Sequence, residues 1–192
     1  MFQVTQAQTS QEFVDYGIDR LNAKDFELAM NYFTQAVQLD SNNSRAHAYL
    51  GKMYAARYNF NEAAPHLDRS IALDGRPDAY LTRALVFMNL RDFESALSDL
   101  SNAYDSLKNN SEFYFVRAGC YMLKKSYKAA VDDYDKLIEL KPKEATYFYL
   151  RGLVHQELNE SELACQDFRK AKEMKYSGAD KMIKEYCKQF GY

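Results

Sequence analysis

The residues best suited to chemistry are Cys120, Cys165 and Cys187, the histidines His47, His66 and His155, the acidic triplet Asp132, Asp133 and Asp135, and the arginines Arg83, Arg117 and Arg151. Thiolates and imidazoles bind zinc or supply a nucleophile and its base, clustered carboxylates bind cations, and guanidinium groups bind anions. Spacing argues against most of this. The cysteines form no C-x-x-C and have no histidine at zinc-ligand distance in sequence. No histidine belongs to H-E-x-x-H or to a recognisable nucleophile arrangement, and no glycine-rich phosphate loop is present. On a helix Asp132, Asp133 and Asp135 point in different directions, so they cannot converge on one ion and are expected on a solvated face. No catalytic residue, cofactor site or metal site is assigned, and the chain is expected to be non-enzymatic. The arginines are different, because they recur at an interval of 34 residues.

That interval belongs to the whole chain. Ser111 to Glu144 reads as a helix, a turn and a second helix, with Phe115, Ala118, Tyr121 and Met122 at helical spacing before Lys124 to Ser126. After that break Tyr127, Ala130, Val131, Tyr134, Leu137 and Ile138 repeat the pattern, until Pro142 ends the second helix. Neither half can bury its apolar stripe alone, so the unit needs neighbours. The same offsets recover residues 10–43, 44–76, 77–110 and 145–178, five copies in all, the second shortened to 33 residues at Gly75 and Pro77. The eighth position holds Gly17, Gly51, Ala84, Ala118 and Gly152, and the twentieth is always alanine. Phe33, Leu67, Leu100, Tyr134 and Phe168 fill the twenty-fourth. Small residues let two helices approach, and the large ones fill the space around the crossing.

With these residues the chain resembles the tetratricopeptide-repeat family over residues 10 to 178. It departs from the family pattern in having no tryptophan at the fourth position, Ser70 and Leu137 in place of a small residue at the twenty-seventh, and Pro65 inside a second helix. The proline removes a backbone donor, so a late helix start or a kink is expected there. The resemblance implies an all-α fold, a right-handed α-solenoid of antiparallel helix pairs with a concave inner face. Residues 1–9 form an N-terminal extension. Residues 179–192 follow the array, with a helix over Ala179 to Phe190 closing its last apolar face through Met182, Ile183, Tyr186 and Phe190. In this family the arginine at position seven packs its stem and reaches an acidic neighbour, a better account of Arg83, Arg117 and Arg151 than an anion ladder. His155, at the eleventh position where three other copies have Tyr54, Phe87 and Tyr121, is expected to be packed.

Within the family the inner face is built from positions two, five, six, nine, twelve and thirteen. Adaptors that grip the acidic tails of heat-shock chaperones place Lys and Asn at five and nine of one copy, Asn at six of the next, and Lys and Arg at two and six of a third. Here Val14, Ile18, Tyr49, Asp78 and Thr82 stand in those places, so that clamp is absent. The groove instead offers Val14, Ile18, Ala48, Tyr49, Leu81, Leu85, Met88, Phe115, Val116, Met122, Tyr149, Leu150 and Leu153, with Lys52 at position nine of the second copy. An apolar, aromatic trough suits an apolar peptide or amphipathic helix of another protein. The competing readings are that these residues pack among themselves, that the chain assembles with copies of itself as a homo-oligomer, and that it is a regulatory module of an enzyme complex.

Composition narrows the partners further. A net charge of -2 supplies no basic field for nucleic acid, and no apolar run approaches the ~20 residues of a membrane-spanning helix, so neither nucleic acid nor membrane insertion is expected. The first residues lack a basic start and an apolar core, which places the chain in the cytoplasm, although Q-A-Q-T-S-Q-E also fits the stretch after a cleaved export signal. Cys165 and Cys187 lie equally far from Tyr176, so antiparallel packing brings them level. They would be a disulfide in an oxidising compartment and two packed thiols in the cytoplasm, and the cytoplasmic reading favours thiols. Asn42-Asn43-Ser44 and Asn109-Asn110-Ser111 fit the glycosylation triplet but read better as turns that cap the next helix.

Overall fold

A computed structural model describes residues 9–188. Those residues form eleven helices and no strand, an α-solenoid. The first helices of the copies are α1 (Ser10–Asn22), α3 (Ser44–Ala56), α5 (Pro77–Asn89), α7 (Ser111–Leu123) and α9 (Ala145–Glu157). The second helices are α2 (Phe26–Leu39), α4 (Phe60–Asp74), α6 (Phe93–Leu107), α8 (Tyr127–Leu140) and α10 (Ser161–Glu173). α11 (Ala179–Tyr186) ends sooner than the sequence implies, with Cys187 at its C-cap, and Phe190 lies outside the described residues. α4 starts at Phe60, the same repeat position as its counterparts, so Pro65 does not delay it. By the fifth residue the first turn is already made, and the proline deletes a single later donor.

The chain divides into two compact units, with the boundary between Val86 and Phe87 inside α5. In the first unit Val14, Ala29, Phe33, Ala36, Ala46, Leu50 and Met53 form one buried cluster; Ala48, Ala55, Ala63, Leu67, Ala79 and Val86 form another. In the second unit α10 and α11 close over Ala164, Cys165, Phe168, Met182, Ile183 and Cys187. Close approach at the eighth position is what sets the helix crossings. A Cβ on Gly17 would lie 2.5 Å from the Phe33 ring, on Gly51 2.6 Å from Leu67, and on Gly152 2.7 Å from the Phe168 ring. Phe33 and Phe168 are fully buried, and each such ring stabilises the fold by roughly 1.5–3 kcal/mol.

The turn inside each copy is the same object five times over. Residue fifteen, namely Lys24, Tyr58, Arg91, Lys125 and Asn159, has a φ between 60° and 63° in the left-handed region. The amide of the following residue donates to the carbonyl of residue eleven at 2.8–3.0 Å, as in Asp25 to Arg20 and Glu160 to His155. These bonds satisfy carbonyls that the ending helix leaves open. Helix starts are capped locally. Thr9 and Glu12 form a capping box, Asn43 and Asn110 accept amides of α3 and α7, and Asp25 and Asp92 do so for α2 and α6.

Candidate functional site

The position-seven arginines are occupied. Arg117 holds Asp133 through Nε at 2.9 Å and Nη2 at 2.6 Å, and Arg151 holds Asp167 through Nε and Nη2 at 2.9 and 2.6 Å. Arg151 also reaches Asp135 at 2.5 Å, and Arg83 reaches Asp68 at 2.6 Å. With carboxylates already on these guanidinium groups, there is no anion ladder. Asp133 corrects the expectation of a solvated acidic face, since it is only 2% exposed. Charge pattern alone suggested solvent; the Arg117 guanidinium sixteen residues upstream is what makes burial tolerable. Burial pushes the Asp133 carboxyl up despite that partner. The hydrogen bonds to Asp167 are the main influence raising Arg151.

The histidines divide. His155 is buried, with Nδ1 2.6 Å from Glu160. In the first unit His47 and His66 face each other Nδ1 to Nδ1 at 2.9 Å, while His47 Nε2 lies 3.2 Å from the Ser41 carbonyl and His66 stacks on Tyr54. Burial lowers both imidazoles, and each charge would also disfavour the other at His66. Such a contact needs at least one neutral ring. No group of three His, Cys, Asp or Glu among the described residues is placed to hold a metal, and no described helix is long and apolar enough to cross a membrane. Cys120 is free and buried, which pushes its thiol up to about 11 and makes it a poor nucleophile. Cys165 and Cys187 are joined by a disulfide across a Cα separation of 5.6 Å, where the sequence favoured thiols. The antiparallel packing of α10 and α11 brings them to that distance.

The groove residues meet different fates. Val14 and Leu81 at position five and Val116 at position six are core residues, although position five of the fourth copy, Phe115, is not. In the second unit Tyr149 lies against Phe168 and Tyr176, with ring centroids at 5.7 and 4.6 Å, and Leu153 joins the cluster around the disulfide. The Tyr134 hydroxyl lies 3.3 Å from Met122 Sδ, and the Met88 sulfur lies 3.1 Å from where Gly119 would carry a Cβ. Leu150 is half-buried, and Phe115 remains 44% exposed beside Tyr147. Most of that half is therefore spent on internal packing.

In the first unit an opening remains. A cavity of about 340 Å³ is lined by Leu21, Phe26, Tyr49, Lys52, Met53, Ala56 and Arg57. Tyr49 is its anchored wall, stacked on Phe33 with centroids 4.7 Å apart and planes 2° from parallel. Ile18 packs against the buried cluster behind it, and Leu85 is half-buried on α5. Arg57 caps α3 and is held by Glu27 at 2.6 Å, while Lys52 has no ion-pair partner among the described residues. Of the predicted groove residues only Tyr49 and Lys52 line this cavity. Leu21 at position twelve and Ala56 at position thirteen were within reach of the repeat numbering; Phe26 was not, because position seventeen is ordinarily a packing position.

Two family models match most of the chain, both described as Tetratricopeptide repeat, one over residues 15–79 and 81–145 and one over 145–177. No curated protein sequence matches. Among solved structures the chain is similar to YrrB, described as a TPR protein with an unusual peptide-binding site, at 19% identity and a TM-score of 0.75, covering 90% of each chain. It is similar to MamA from Desulfovibrio magneticus RS-1 at 16% identity and a TM-score of 0.77, covering 88% of this chain and 96% of that one. PilF of Pseudomonas aeruginosa aligns at 16% identity with a TM-score of 0.74, covering 86% of this chain and 76% of that one. At these identities the likeness is one of fold.

Proposed function

Because the chain belongs to the tetratricopeptide-repeat family, whose members are interaction scaffolds that bind other proteins or peptides, we propose that it is a non-enzymatic scaffold that engages an apolar segment of another protein on the first-helix face of its first unit. The observation that carries this reading is the open apolar cavity walled by Leu21, Phe26, Tyr49, Met53 and Ala56. Its volume falls within the range of ligand-binding pockets, and Tyr49 is held in place before any partner arrives, so little ordering is needed on binding. Phe26 is 54% exposed, a large apolar surface that a partner would cover. The Cys165–Cys187 bond supports the exported alternative over the cytoplasmic one.

Affinity capture from the native organism's extract, comparing the wild type with Ala56→Glu, tests the reading. Ala56 is exposed at the end of α3, so the variant puts a charge in the cavity mouth without touching a core. A protein retained by the wild type and lost from a variant of unchanged helix content is the expected result. Identical retention by both would remove this face as the site.

A further inference from the structure

We infer that the cavity of the first unit receives one bulky apolar side chain of a partner segment and that Lys52 receives a carboxylate carried next to that side chain. This rests on the function proposed above and specifies the ligand chemistry of the same site. The floor and walls, Leu21, Phe26, Tyr49, Met53 and Ala56, present almost wholly apolar surface. A peptide backbone laid inside would leave its amides and carbonyls unpaired, at a cost no apolar contact offsets, so only a side chain enters. Two of the lining residues are cations and none is an acid: Arg57 is already compensated by Glu27, which stands next to Phe26, and Lys52 is exposed on the helical turn that bears Tyr49 and Met53, with no ion-pair partner among the described residues. Charge complementarity therefore selects an acidic neighbour to the inserted side chain. The five-residue clamp for acidic tails is absent here, so recognition uses one cation and one apolar pocket.

The experiment is an NMR titration of the full ¹⁵N-labelled chain with N-acetylphenylalanine, which carries a carboxylate, and with N-acetylphenylalaninamide, which does not. Expected are saturable shifts at Leu21, Tyr49, Met53 and Ala56 with both probes, and a preference for the carboxylate of roughly threefold, the size an exposed ion pair gives. In Lys52→Gln, a change at an exposed side chain, the two probes bind equally. Equal binding by the wild type overturns the assignment to Lys52 and leaves the pocket standing. Shifts with neither probe overturn the pocket itself, and with it the proposed site. Shifts at the same residues that depend on protein concentration without any probe mean that a second copy of the chain occupies the cavity, which also overturns the inference.

Discussion

Replacing Arg117 by methionine keeps most of the stem and removes the guanidinium that neutralises Asp133. Asp133 is 2% exposed and the Arg117 side chain 22%, so the change strands a carboxylate in a nearly dry site. Breaking a buried pair from one side costs about 3–5 kcal/mol, and the partial exposure of the arginine puts the expected loss near the lower end, about 3 kcal/mol. Part of that is the contact of the guanidinium with the Phe113 ring, 4.9 Å from its centroid. Arg45→Met is the internal control, because Arg45 meets Asp15 at 3.3 Å with both side chains exposed, and such pairs contribute ~0–1 kcal/mol. Urea unfolding followed by circular dichroism near pH 7.5 gives both numbers. The loss must also depend on pH. Without Arg117 the folded carboxyl sits still further above its unfolded value, so the penalty is present when it is ionised and shrinks as pH falls toward about 4.5. Arg117→Met with Asp133→Leu should recover most of the loss. A cost no greater than that of Arg45→Met, or one equal at both pH values, would refute the reasoning.

The His47–His66 pair makes the first unit sensitive to acid. Both folded imidazoles sit below the usual value, so the unfolded chain takes up more protons and stability falls as pH drops from about 7 to about 5. Arg69 opposes protonation of His47 and Asp40 favours it, and combining His47→Gln with His66→Phe should flatten the stability profile over that window. Reduction of Cys165–Cys187, or its replacement by two serines, should cost about 3 kcal/mol from a separation of 22 residues. Hydrogen exchange should show the loss confined to α9, α10 and α11, whose contacts surround the bond.

Much of the fold was legible because period and residue size are properties of sequence. Gly17 with Phe33, Gly51 with Leu67 and Gly152 with Phe168 are small-large pairs sixteen residues apart, and each becomes a close helix contact. Groove and core were harder to separate, because an apolar residue such as Val14 or Leu81 carries no mark of which neighbour it meets. Tyr149 looked like groove until α11 and Tyr176 were placed against it. Asp133 looked solvated because its partner lies on another helix, and position-seven arginine with position-twenty-three aspartate is visible only once the repeat is aligned. The cavity escaped because it is a shape between residues, three of which, Phe26, Met53 and Arg57, stand outside the inner-face positions.

The left-handed residue that closes each helix pair gives the array a graded store of adjustable stability. Lysine, tyrosine and arginine occupy that conformation at Lys24, Tyr58, Arg91 and Lys125, where glycine would sit without steric cost, and each adds on the order of 1 kcal/mol of strain. None of these turn residues is part of a buried cluster. Glycine at residue fifteen is therefore expected to raise thermal tolerance one copy at a time, through four separate steps, while the face proposed for a partner stays as it is.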